Sequence, residues 1–132
     1  MDTIIVVDDN KGVREYMSDV FSRAGYDVRL FSDLQCITLE LRGGRIPQRA
    51  VAFLDGCLSE NGSSLTSGIN LVDEFRRLAP TTYLIGISGH SQRSPHFRPD
   101  HFMQKPFDSE TLKRVAEEGF SITASKEDYN SG

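Results

Sequence analysis

Four polar pairs follow apolar runs in this chain: Asp8-Asp9 after T-I-I-V-V, Asp55-Gly56 after A-V-A-F-L, Ser88-Gly89 after Y-L-I-G-I and Lys105-Pro106 after H-F-M-Q. Gathered in one crevice, they offer three carboxylates, a hydroxyl and an ammonium. Carboxylates at close range cannot all stay ionised unaided, and a hard cation with oxygen ligands relieves them. Mg²⁺ suits such a site, because it binds through one or two carboxylates, keeps waters, and also coordinates phosphate oxygens. A carboxylate nucleophile, Asp55, flanked by a metal, the Ser88 hydroxyl and the Lys105 ammonium is equipped for phosphoryl transfer. In that reaction, positioning and charge neutralisation supply nearly all of the catalysis. The product would be an aspartyl phosphate.

Whether these groups meet depends on the elements that carry them. Continuous β-branched or apolar runs read as strands buried on both faces of a parallel sheet, which predicts strands from Thr3 to Val7, Val28 to Phe31, Ala50 to Leu54, Tyr83 to Ile87 and His101 to Gln104. Helical spacing links Val13, Met17, Val20, Phe21 and Ala24 between an Asn10 cap and a Gly25 stop, and Leu34, Ile37 and Leu41 between Asp33 and Gly43-Gly44. A third helix carries Leu71, Val72, Phe75, Leu78 and Ala79 up to Pro80, and a last one runs from near Asp108 through Leu112, Val115 and Ala116 to Gly119. Residues 1–120 thus read as one domain and 121–132 as a polar tail.

This alternation predicts an α/β fold with a doubly wound, five-stranded parallel sheet in the order 2-1-3-4-5, where ligands bind beyond the carboxyl ends of the strands. Neighbouring strands lie about 4.8 Å apart, so Asp9 and Asp55 come together and Ser88 stands beside them. Lys105, two strands or roughly 10 Å away, has the reach to cross much of the gap.

The 132 residues carry 19 acids against 15 bases, a net charge of −4, which leaves no electrostatic footprint for nucleic acid or an anionic membrane. Cys36 and Cys57 form no C-x-x-C pair, so a disulfide framework or cysteine zinc site is not expected. No apolar run approaches the roughly 20 residues of a membrane span, and Asp2 stands where a signal peptide would carry Lys or Arg. A cytoplasmic protein is expected. Neither G-x-x-x-x-G-K-[ST] nor G-x-G-x-x-G occurs, and V-D-D-N does not supply the D-x-D of phosphohydrolases with an Asp nucleophile.

The marks V-V-D-D-N at 6–10, F-L-D-G at 53–56, I-S-G at 87–89 and K-P-F at 105–107 resemble, taken together, the receiver domains of two-component response regulators, which have the CheY-like, flavodoxin-like fold. The resemblance covers about residues 3–118. It implies that Asp55 accepts a phosphoryl group from a histidine kinase or histidine phosphotransfer protein, in a Mg²⁺-dependent self-catalysed reaction rather than as a turnover enzyme. It also implies that Asp9 binds Mg²⁺ directly, that Asp8 aids partly through water, and that the backbone carbonyl of Cys57 completes the protein ligands. Ser88 and Lys105 match the family's hydroxyl and lysine, Lys105-Pro106 its cis peptide bond, and Phe102 its aromatic switch. Cys57 and His90 fall at the two positions that tune phosphoryl lifetime, so His90→Ala is expected to alter the decay rate. The downstream target is a protein the sequence does not identify.

Two stretches depart from that pattern. After Asp55, C-L-S-E-N-G-S-S-L-T-S-G at 57–68 is longer than the family norm and reads as a flap over the site. Between Ser88 and Lys105 the chain is short, and Pro95 and Pro99 oppose a helix, so the family's fourth helix is expected to be reduced or absent. That rebuilt region suggests an alternative, a degenerate receiver serving as a phosphorylation-independent protein scaffold. Each feature also has a plainer reading. Asp8-Asp9 could simply favour a helix N-terminus, and Asp55-Gly56 could be a hairpin turn, although S-E-N-G beyond it is too polar for a return strand. Phe102 could be an ordinary core aromatic. The spacing of His90, His96 and His101 fits no zinc pattern.

Overall fold

The computed structural model describes residues 2–55, 67–88, 99–105 and 107–131, without the side chains of 67–70, 88 and 125–131. Its elements run β1 (Thr3–Val7), α1 (Lys11–Arg23), β2 (Asp27–Phe31), α2 (Leu34–Arg42), β3 (Ala50–Asp55), α3 (Ser67–Leu78), β4 (Tyr83–Ser88), β5 (His101–Gln104) and α4 (Ser109–Ser131). All sheet pairings are parallel, in the order β2-β1-β3-β4-β5. That is the predicted doubly wound topology, with strand boundaries within a residue of those expected.

The β-branched runs form strands here because both sheet faces are covered. Ile4, Val6, Val51, Phe53, Ile85, Ile87 and Met103 join Met17 and Phe21 of α1 and Leu112, Val115 and Ala116 of α4 in one core cluster. Ile5, Val7, Ala52, Leu54 and Leu84 face Ile37 and Leu41 of α2 and Leu71, Val72 and Phe75 of α3 in the other. Alternate residues of one strand therefore serve two cores, and neither face can tolerate a polar break. The two N-caps work as their types suggest: Oδ1 of Asn10 accepts from the Val13 amide at 3.1 Å, and Oδ1 of Asp33 from the Cys36 amide at 2.9 Å. Gly25, at φ 93°, takes the left-handed turn that leads out of α1.

Two sequence expectations need correction. The third helix begins at Ser67, inside the stretch read as flap. Leu78, named with the apolar residues that mark this helix, is 36% exposed at its end. The last helix does not stop at Gly119 but continues to Ser131, with Phe120 and Thr123 buried, so the residues read as a frayed tail extend a packed helix. The role of Gly119 is close approach rather than termination. A Cβ at position 119 would stand 2.6 Å from Cδ2 of Tyr83 and 2.9 Å from Cγ2 of Val51, so the missing side chain lets α4 lie against the sheet. The expected reduction of the helix between β4 and β5 falls on residues outside those described.

The packing at Gly119 yields a prediction in which two effects oppose. Alanine would raise helix propensity by about 1 kcal/mol, whereas forcing a methyl group into a filled contact costs about 1–3 kcal/mol. Gly119→Ala is expected to lose stability on balance, seen as a lower urea midpoint; an unchanged or higher midpoint would contradict this packing.

At the opposite end of the sheet, the chain entering β1 is tied to the chain entering β3. Arg49 Nε and Nη2 donate to Oδ1 and Oδ2 of Asp2 at 2.7 and 3.3 Å. The hydrogen bonds from Arg49 hold the Asp2 carboxyl below its ordinary value of 3.8. A depressed folded-state pKa means that the pair's contribution is complete above 3.8 and vanishes as pH falls through the lower folded value. Asp2→Asn is therefore expected to cost under about 1 kcal/mol at neutral pH, the pair being partly exposed. In acid-melting curves the variant and parent should converge as pH falls below the depressed folded-state value of Asp2.

Candidate functional site

Strand register brings the acids together. Val7 pairs with Leu54 across β1 and β3, so the next residue on each strand, Asp8 and Asp55, emerge side by side at the carboxyl edge. Asp55 pairs with Ile87 across β3 and β4, and Ser88 pairs with Gln104 across β4 and β5, which places Lys105 one step beyond. The Asp8, Asp9 and Asp55 carboxylates lie within 4.8 Å of one another. Asp8 and Asp55 are buried, at 0% and 3% exposure, while Asp9 is exposed.

Asp8 is held from every side. Its Oδ1 accepts from the Asn10 amide at 2.8 Å, its amide donates to the Phe31 carbonyl at 3.1 Å, and its carbonyl accepts from Arg14 Nη1 at 2.8 Å. Lys105 Nζ stands 3.3 Å from Asp8 Oδ2 and 3.9 Å from Asp55 Oδ2. The lysine expected beside Asp55 thus sits between two buried carboxylates and closer to Asp8, because a partly buried ammonium settles where both negative charges reach it. From there it can turn toward a new oxygen on Asp55.

Three carboxylates lie within 4.8 Å of one another, and two of them are out of water. A hard divalent cation with oxygen ligands fits this donor set, and its open coordination positions would take water or phosphate oxygens. The expected metal residues Asp8, Asp9 and Asp55 are thus assembled. Phe102 on β5 is partly buried and packs against the cluster that contains Ile5, Val7 and Leu84. Ser88 ends β4, at the same edge. Its hydroxyl, Cys57 with its carbonyl, His90 and the Lys105-Pro106 peptide lie outside what the structure describes. A cavity of about 360 Å³ lined by Asn10, Gly12, Val13, Tyr16, Lys105 and Phe107 opens beside the acids.

Sequence reasoning missed two groups. The Asn10 amide became visible as a partner of Asp8 only once the turn into α1 was built. Arg14 could have been found from its place in the first turn of the helix that follows Asp9, where a long side chain can reach back over the strand end.

Neither a family model nor a curated protein matches the chain, whereas solved structures do. NtrX from Brucella abortus in complex with ADP matches with a TM-score of 0.80 at 26% identity, over 99% of this chain and 29% of that one. The crystallised receiver domain of NtrX from the same organism matches at 0.73 and 27% identity, over 89% of this chain and 98% of that one. A CheY-like response regulator receiver domain protein from Methanospirillum hungatei JF-1 matches at 0.79, over 96% and 98%, and at 15% identity that likeness is one of fold. This chain spans less than a third of the NtrX chain crystallised with ADP. Among the described residues no helix is long and apolar enough to cross a membrane. The resemblance carried by the strand-end motifs is met in three dimensions: this chain has the CheY-like fold and is similar over most of its length to response-regulator receiver domains.

Proposed function

We propose that this domain receives a phosphoryl group on Asp55 from a phosphohistidine of a cytoplasmic histidine kinase or histidine phosphotransfer protein, and passes the signal on by changing conformation. The observation that carries this reading is the placement of three carboxylates within 4.8 Å of one another, with Lys105 Nζ 3.3 and 3.9 Å from two of them. In the transfer, a carboxylate oxygen of Asp55 attacks phosphorus. The bond from phosphorus to the donor's imidazole nitrogen breaks, and that nitrogen keeps the electron pair and is reprotonated by solvent. Lys105 exchanges its contact with Asp8 for one to a phosphoryl oxygen. Asp9 and Asp55, aided by Asp8 and the Cys57 carbonyl, would hold Mg²⁺, which when bound supplies charge neutralisation at the phosphoryl oxygens. Ser88 would donate to the new group and Phe102 would turn with it, shifting a two-state equilibrium. Cys57 and His90 would set its lifetime.

The test is incubation of the chain with Mg²⁺ and a small acyl phosphate, followed by intact mass measurement. One acid-labile phosphoryl adduct per chain, lost when EDTA replaces Mg²⁺, is the expected result. No adduct from this donor or from a phosphorylated histidine protein would mean a binding scaffold instead.

A further inference from the structure

Arg14 is the one guanidinium found reaching into the acid cluster among the described residues. It bonds to the backbone there and makes no recorded ion pair with Asp8, Asp9 or Asp55. Its Nη1 donates at 2.8 Å to the Asp8 carbonyl, and its own amide donates to the Asn10 carbonyl at 3.1 Å. The Asp8 carbonyl belongs to the peptide that joins Asp8 to Asp9. Gripping it fixes that peptide plane, and with it the direction in which Asp9 leaves the strand. Asp8 needs no such help, since the Asn10 amide, the Phe31 carbonyl and Lys105 already hold it. Asp9 is exposed and has no comparable anchor among the described residues, so its place rests on the peptide behind it.

We infer that Arg14 is a positioning residue for divalent-cation binding: it orients the Asp8–Asp9 peptide so that the Asp9 carboxylate stays within reach of Asp55. This rests on the reading of the acid cluster as a Mg²⁺ site. The inference has a sign that electrostatics alone would reverse. Removing a cation beside three carboxylates makes the cluster more negative, which by charge alone tightens Mg²⁺ binding. Loosening an exposed ligand weakens it, and loss of a group that orients a metal ligand typically costs roughly 10-fold or more in affinity.

The experiment compares Mg²⁺ affinity by calorimetry, and the EPR line shape of bound Mn²⁺, in the full chain and its Arg14→Met and Arg14→Lys variants. Arg14→Met keeps the apolar stem on a partly exposed helix position, and a far-ultraviolet melt checks that it folds. Weakening of roughly 10-fold in Arg14→Met, with a broadened Mn²⁺ spectrum and partial recovery in Arg14→Lys, is expected. Binding by Arg14→Met as tight as the parent's, or tighter, overturns the inference while leaving the metal site standing, provided Asp55→Asn still weakens binding. A parent chain that binds neither ion overturns both. Should Arg14→Met fail to fold, Arg14→Lys alone decides: its ammonium lacks the rigid planar fork that fixes the direction of the bond, which predicts weaker binding at unchanged charge, and parent-like affinity and line shape overturn the inference.

Discussion

Asp55→Asn is expected to abolish the phosphoryl adduct, with no mass shift under conditions that convert the parent chain. The amide oxygen is a far weaker nucleophile than a carboxylate, and no neighbour can substitute. Asp8 is locked between the Asn10 amide and Lys105, and Asp9 is exposed, away from the buried floor of the crevice. An adduct that persists in Asp55→Asn would move the acceptor to another residue. Lys105→Met should behave differently: the nucleophile remains, and uptake slows by roughly 100- to 1000-fold, the usual cost of losing a positioned charge-stabilising donor. The Asn variant also removes a buried charge 3.9 Å from Lys105 and close to two like charges. In the absence of divalent cations it is expected to melt higher than the parent, because it relieves the repulsion among carboxylates that lie within 4.8 Å of one another.

Phe53→Ala carries the largest expected effect on stability. Phe53 is fully buried in β3, two residues before the acceptor, and its ring lies 5.3 Å from that of Phe21, tilted by 35°. Truncation removes the ring contact with Phe21 of α1 and leaves a cavity that β3, paired on both sides, cannot collapse to fill. Losses of this kind run to about 3–5 kcal/mol, out of a total of about 5–15 kcal/mol for a domain. For a chain of this size that is a fall of roughly 10–20 °C in melting temperature, measured by calorimetry. A fall of only a few degrees would show that the core around Phe53 is looser than the structure has it.

Much of this domain could be read from residue types in order. The strands were legible because the runs 3–7, 50–54 and 83–87 are buried on both faces and so are written as nearly unbroken apolar runs. The caps at Asn10 and Asp33 and the turn at Gly25 are local events, decided by the atoms of one or two residues. The strand-end acids and Lys105 followed from the same runs, since a parallel sheet sends all its carboxyl ends to one edge.

What the order of residues did not hold are choices between equal local options, made by atoms far away in the chain. A glycine within helical periodicity can end a helix or let it press on a neighbour; Gly119 does the second because Tyr83 and Val51 lie beneath it. Polar residues after it could fray or stay helical, and burial of Phe120 and Thr123 decides for the helix. Lys105 had two carboxylates within reach, and the depth of Asp8 draws it there first. Arg14 could have pointed into water, and the open carbonyl of Asp8 turns it inward. Asp55 and its neighbours were therefore determined by the sequence itself, through local chemistry and one topology. How their charges are shared was decided only by the tertiary structure, because Coulomb and packing energies depend on distances that no single segment contains.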